Sequence, residues 1–173
     1  MRIAISSKSG CGNTTVTKML SEKLGYPMIN FTFRQMAEER GVDFWTFCKM
    51  AESDYDIDRE LDRRQVEMAM ESENCVLGSR LAIWMLKDAD LKVYLTASEE
   101  TRAKRVLKRE GGTFEERYQQ TVNRDRNDTN RYKTIYSIDN TKADEVADLI
   151  IATDDKIPEE IVQIIIDKVK TLK

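Results

Sequence analysis

Along this chain, apolar positions follow two alternating rhythms. Short, nearly continuous apolar runs occupy residues 3–6, 26–30, 75–77, 91–95 and 149–152, the pattern of strands covered on both faces. Between them the spacing turns helical. Val16, Met19, Leu20 and Leu24 form one stripe, and Ile57, Leu61, Val66 and Met70 a second within a long charged segment. Ile161, Ile164, Ile165 and Val169 form a third behind Pro158, a residue suited to the first turn of a helix. Strands alternating with helices predict an α/β fold with a parallel, doubly covered sheet. With two prolines and no repeat or low-complexity tract, the 173 residues are read as one domain. Two polar stretches interrupt the rhythm, at about 31–73 and about 111–131, leaving a core of 1–30, 74–110 and 132–173. Gly111-Gly112 opens the second stretch and suits a hinge, because glycine tolerates backbone change. A core with two charged inserts predicts movable flaps over a cleft.

Composition narrows the chemistry. A net charge of −3 argues against general nucleic-acid binding but permits a local basic cleft. The sequence has no histidine, which excludes a Ser-His-Asp triad, histidine metal sites and a histidine proton relay. Cys11, Cys48 and Cys75 are dispersed, without a CxxC spacing, and are read as small buried hydrophobes in a reducing compartment. No charged-then-apolar leader precedes the first strand, and no apolar run approaches the roughly 20 residues that span a bilayer. The expectation is a cytoplasmic monomer with no membrane partner, whose chemistry rests on Lys, Arg, Asp, Glu, Ser, Thr and backbone amides.

Directly after the first apolar run stands Ser6-Ser7-Lys8-Ser9-Gly10-Cys11-Gly12-Asn13-Thr14-Thr15, leading into the first helical stripe. A strand, a glycine-bearing turn and a helix start in that order aim backbone N–H groups and the helix dipole at an anion. Measured against G-x-x-x-x-G-K-[ST], Ser7 replaces the first glycine and Asn13 the lysine, whereas Gly12 and the hydroxyl of Thr14 are kept. Ser7, Lys8, Ser9, Gly10, Cys11, Gly12, Asn13, Thr14 and Thr15 are therefore the candidate phosphate loop, with Thr14 facing Mg²⁺. For Lys8 alone the favoured reading is a solvated lysine on the loop shoulder; the alternative is a lysine that reaches phosphate.

Arginines supply the second signal. Arg102, Arg105 and Arg109 follow the fourth strand, with Arg105 and Arg109 on one helix face, and Arg117, Arg124, Arg126 and Arg131 lie beyond the glycine pair. Guanidinium forks bind two phosphoryl oxygens at once, and phosphoryl transfer needs chiefly positioning and charge neutralisation. Arg34 and Arg80 sit past the second and third strands, at the carboxyl edge where α/β sheets hold ligands. Two convergent arginines there suit an acceptor phosphate. Trp45, Trp84, Phe31 and Phe33 are read as packing residues, and Asp54, Asp56, Asp58, Glu60 and Asp62 as a solvated acidic face with one or two carboxylates in reach of an acceptor.

Taken together, the motifs resemble the nucleoside monophosphate kinases, and specifically the archaeal-type cytidylate kinase family. Beyond the loop, the likeness rests on Phe33-Arg34-Gln35-Met36-Ala37, Ile57-Asp58-Arg59-Glu60-Leu61-Asp62-Arg63-Arg64-Gln65 and Arg80-Leu81-Ala82-Ile83-Trp84-Met85. It continues through Arg102-Ala103-Lys104-Arg105, Lys108-Arg109-Glu110 and Arg131-Tyr132-Lys133-Thr134-Ile135-Tyr136-Ser137-Ile138-Asp139. This resemblance implies a P-loop NTPase fold: a five-stranded parallel sheet flanked by helices, with an acceptor-binding insert and a lid. It implies transfer of the ATP γ-phosphoryl group to CMP or dCMP with Mg²⁺. It places Arg34 and Arg80 on the acceptor phosphate, Arg105 near the ATP base, and Arg109, Arg124 and Arg131 as catalytic lid arginines. The sequence departs from that family at Ser7, at Asn13, and at Gly78-Ser79, where the family carries an acid followed by glycine. Two alternatives stay open: a nucleotide-binding module without transfer activity, and a P-loop kinase for another small acceptor.

Overall fold

Five parallel strands run in the order β2-β3-β1-β4-β5, with β1 at Arg2–Ser7, β2 at Met28–Ile29, β3 at Cys75–Gly78, β4 at Leu91–Thr96 and β5 at Leu149–Ala152. The computed structural model describes residues 1–172, apart from the side chains of Phe44, Trp45 and Cys48. The expected packing of Trp45 and burial of Cys48 lie outside the described residues. Ile3, Ala4, Ile5, Ser6 and Ser7 of the central strand are all buried, because helices cover both faces of the sheet. Side chains alternate along a strand, so Ile3 and Ile5 meet one face with Val16, Leu20, Ile161 and Ile165, whereas Ala4 meets the other with Leu77, Ile83 and Ala69.

Helix α1 (Asn13–Leu24) and helix α8 (Pro158–Lys170) cover the first face, with Pro158 in the opening turn as expected. The other face is covered by α4 (Tyr55–Glu71) and α5 (Ala82–Met85). Before α4 the chain forms α2 (Phe33–Glu39) and α3 (Phe44–Ser53). These pack with α4 on a small core of their own that includes Phe31, Met36, Phe47 and Ile57. After β4 come α6 (Glu99–Glu110) and α7 (Phe114–Tyr136), joined through Gly111 and Gly112, both at positive φ. The two helices pack along each other, tied by the Tyr118 hydroxyl donating to Glu99 Oε2 at 2.7 Å.

Three expectations shift. The run 26–30 contracts to a two-residue strand, because Pro27 has no N–H to give and β2 lies at the sheet edge, where proline is tolerated. In α4, Met70 is 40% exposed and does not belong to the inner face. Ile57 is buried and Leu61 and Val66 pack against the cores as expected, and beside them the inner face continues through Asp58, Asp62, Gln65 and Ala69, so that it is partly carried by polar side chains. The acidic segment is therefore not one solvated face: Asp54 and Asp56 are exposed, but Asp58 and Asp62 are buried.

Candidate active site

Because β1 lies between β3 and β4, the turn after β1 and the turn after β3 emerge side by side at the carboxyl edge. Ile5 pairs with Gly78, and the Ser79 amide donates to the Ile5 carbonyl at 3.1 Å. Loop and helix are joined at Gly12, whose φ of 91° is the left-handed conformation that favours glycine. Helix α1 has no side-chain cap and no acid in its first turn, whereas α2, α4, α6 and α7 are capped by Thr32, Asp54, Ser98 and Thr113. Its first N–H groups thus remain available to an anion.

Two clefts meet here. The first, about 660 Å³, is lined by the whole stretch Ser7 to Thr15 and by Lys8, Arg80, Arg105, Lys108, Arg109 and Lys156; no carboxylate lines it among the described residues. The second, about 790 Å³, lies under the 31–73 insert and is lined by Phe31, Phe33, Arg34, Asp58, Asp62 and, from α7, Arg124, Asp128 and Arg131, among others. Both volumes are in the range of small-molecule sites. Thr14, Gly78, Ser79 and Arg80 line both clefts. A group bound in one would face a group bound in the other across these four residues.

The arginines divide into different classes. Arg102 lines neither of these two clefts: it is 2% exposed, with Nη1 donating to the Ser9 carbonyl at 3.2 Å and Nη2 2.7 Å from Asp125 Oδ2. Arg105 donates to the carbonyl of Gly10 at 3.3 Å and to Thr153 Oγ1 at 2.9 Å, which fastens the loop to the segment after β5. Arg109 is exposed beside Glu110 at the rim of the first cleft. Arg34, Arg124 and Arg131 come together on the second cleft. Arg80 is ion-paired with Asp128, so its surroundings are more crowded than the sequence suggested. Arg131 Nη2 lies 3.4 Å from Asp58 Oδ1 and 3.5 Å from Asp128 Oδ1. Arg117 pairs with Glu110 at 3.6 Å, and Arg126 is exposed; neither lines a cleft described here.

Lys8 departs from the favoured solvated reading: its Nζ lies 3.9 Å from Asp125 Oδ2, on the carboxylate that Arg102 holds, and its side chain is 33% exposed. The aromatic residues pack as expected. Phe33 meets Phe47 edge-on at 5.9 Å, Trp84 meets Tyr94 at 5.9 Å, and the Arg64 guanidinium covers Phe31 at 4.0 Å. Phe31 and Phe33 also line the second cleft. Cys11 and Cys75 are buried, and burial pushes the Cys11 thiol up to about 11, which keeps it in the unreactive form.

The sequence assigns no role to Lys108, Lys156, Asp128 or Asp125. Their signal is charge opposite charge across the fold, which spacing along the chain does not carry. Asp62 was noticed without its environment. Burial, with Asp58 adding to it, raises its pKa from 3.8 to about 6, against the opposing effects of the Tyr136 hydroxyl, which donates at 2.6 Å, and of Arg131. A folded-state pKa above the unfolded one stabilises the fold below about pH 4, and that contribution is lost as pH rises through about 6. Asp62→Asn is therefore expected to match the parent protein near pH 4 and to exceed it above pH 6 by roughly 2–3 kcal/mol, read from melting curves across that range.

The cytidylate kinase-like family matches residues 2–155. Cytidylate kinase 2 from Borreliella afzelii is 43% identical over 172 residues, covering 98% of this chain and 96% of that protein. Cytidylate kinase from Pyrococcus horikoshii is 42% identical over 165 residues, covering 94% and 85%. Among solved structures, shikimate kinase from Bacteroides thetaiotaomicron has a TM-score of 0.64 at 18% identity, covering 98% of both chains. Deoxyadenosine kinase from M. mycoides has a TM-score of 0.60 at 18% identity, covering 98% of this chain and 100% of its own. The structural likeness establishes a P-loop kinase fold. The sequence match, over nearly the whole length, establishes more: this chain belongs to the cytidylate kinase-like family.

Proposed function

We propose that this protein is a nucleoside monophosphate kinase that transfers the γ-phosphoryl group of ATP to CMP or dCMP, giving ADP and CDP or dCDP. The observation that carries this reading is the pair of clefts meeting at Thr14, Gly78, Ser79 and Arg80, one lined by cations without a carboxylate. The ATP phosphates lie in that cationic cleft, held by the backbone of residues 7–15 and the open start of α1, with Arg105 toward the base. The monophosphate lies in the second cleft, its phosphate between Arg34 and Arg80 and its base toward Asp58 and Asp62. Asp58 Oδ2 and Arg131 Nε are buried without a hydrogen-bond partner among the described residues, which is the condition of groups that a ligand satisfies.

The insert at about 31–73 and the stretch at about 111–131 act as acceptor-binding flap and lid. Closure brings Arg109, Arg124 and Arg131 onto the migrating phosphoryl group. No general base is needed, because the acceptor phosphate oxygen is already ionised. The residue that would hold Mg²⁺ is Thr14, through its hydroxyl; the cationic cleft adds no carboxylate among the described residues. Bound there, the ion would supply charge neutralisation that a loop without a lysine lacks. The protein acts as a monomer in the cytoplasm on small nucleotides; no helix among the described residues is long and apolar enough to cross a membrane.

The test is ADP formation by purified protein with ATP, Mg²⁺ and a panel of CMP, dCMP, UMP, AMP, GMP, nucleosides and shikimate. Turnover is expected with CMP and dCMP above the others. Asn13 and Gly78 favour one rival, a nucleotide-binding protein without transfer activity; ATP binding with no turnover on any acceptor would establish it. Turnover confined to a nucleoside or shikimate would point to a kinase for another small acceptor.

A further inference from the structure

Asn13 and Gly78 read as two separate losses along the chain, yet they occupy one site. The Asn13 amide donates from Nδ2 to the Ile5 carbonyl at 3.1 Å and to the Ser79 carbonyl at 3.4 Å, and its Oδ1 accepts from Thr17 Oγ1 at 2.9 Å. Gly78 pairs with Ile5 and leads into Ser79 and Arg80. A Cβ on residue 78 would lie 2.3 Å from Thr17 Oγ1, 2.8 Å from Asn13 Oδ1 and 2.9 Å from Thr17 Cγ2. Thr17 is fully buried and has little freedom to move aside. The Asn13 side chain thus lies against the strand ends, with its hydrogen-bonding groups engaged there.

From this geometry we infer that Asn13 is a positioning residue: a neutral strut that ties the start of α1, which carries Thr14, to the turn that carries Arg80. Gly78 is glycine because the strut and Thr17 fill the space that any side chain there would need. The strut joins two of the four residues on which both clefts meet, so it sets how the two phosphates face each other. It leaves the charge that position 13 does not carry to the cations around the loop. The inference rests on the kinase reading for its consequence in turnover, but the interlock itself does not.

The experiment measures kcat, KM for ATP and for CMP, and the melting temperature of the parent and five variants of the full chain. Asn13→Ala is expected to lower kcat at least tenfold, with both KM values within about threefold of the parent and a cooperative melt retained. Asn13→Lys adds a charge but removes the amide, and is expected to lower kcat as well. Gly78→Ala is expected to lower both kcat and the melting temperature, and Thr17→Ala combined with Gly78→Ala to restore most of the melting temperature. Thr17→Ala alone serves as the reference for that pair. Parent-like kcat in Asn13→Ala, or a gain of turnover in Asn13→Lys, would overturn the strut. A parent-like melt in Gly78→Ala would overturn the interlock. If the parent binds nucleotide but transfers nothing, the kinase reading fails and with it the positioning role, and the melting temperatures of the Gly78 and Thr17 variants still decide the interlock.

Discussion

Arg80→Ala is expected to lower kcat with ATP and CMP by two to three orders of magnitude, the range found when a group that stabilises transition-state charge is removed. Arg80 lies at the seam of both clefts, one residue beyond the Ser79 carbonyl to which Asn13 is bonded. Burial in the first place, and then the nearby Arg124 and Arg131, bring its pKa down to about 10. It therefore stays protonated at neutral pH, and its guanidinium is available to two phosphoryl oxygens at once. Its ion pair with Asp128 holds the side chain at the seam. Arg131 also reaches Asp128, at 3.5 Å, so the alanine variant leaves that carboxylate with a cation and should fold. Arg80→Lys keeps a point charge without the fork and is expected to fall between the two. Initial rates against CMP at saturating ATP make the measurement; a variant within threefold of the parent would remove Arg80 from the transfer site.

The largest loss of stability is expected at Arg102. Its side chain is 2% exposed, pairs at 2.7 Å with Asp125 on α7 and donates to the Ser9 carbonyl of the loop. A Cβ at Gly10, whose φ is +83°, would lie 2.9 Å from the Arg102 Cβ, so the loop bends directly over the α6 backbone. Arg102→Met removes the cation and leaves the Asp125 side chain, 11% exposed, facing Lys8 at 3.9 Å. Breaking a buried pair from one side costs about 3–5 kcal/mol, which in a domain of this size is roughly a 10 °C fall in melting temperature. Adding Asp125→Leu is expected to recover most of it, because an apolar replacement of both partners leaves no buried charge unpaired. Urea denaturation of the single and double variants separates this account from simple loss of packing, in which the double variant would be the worse of the two. ATP affinity should fall in Arg102→Met, since the carbonyl it holds belongs to the phosphate loop.

Neighbouring residues that look alike in the sequence part company in the fold. Arg102 and Arg105 belong to one helix, three residues apart, yet one is a buried brace and the other fastens the loop to Thr153. Spacing assigns a helix face; it does not say which face meets the interior. Asp58 and Asp62 sit in a segment so rich in charge that solvation was the natural reading. Their burial depends on Arg131 and Tyr136, which approach from another helix some seventy residues on. The aromatic pairs were easier, because large apolar rings find apolar neighbours wherever the chain takes them.

What the sequence alone determined is local. Both-face burial imposes continuous apolar runs, so five strands could be placed, and contiguity made the phosphate loop visible, because its glycines, Thr14 and the following helix lie in one stretch. Tertiary structure alone decided what depends on strand order. Placing β1 beside β3 brings Ile5 opposite Gly78 and thereby Asn13 against Ser79, residues 66 apart in the chain. Two apparent defects in a motif became one fitted contact, because side chains compete for volume in space and not along the sequence.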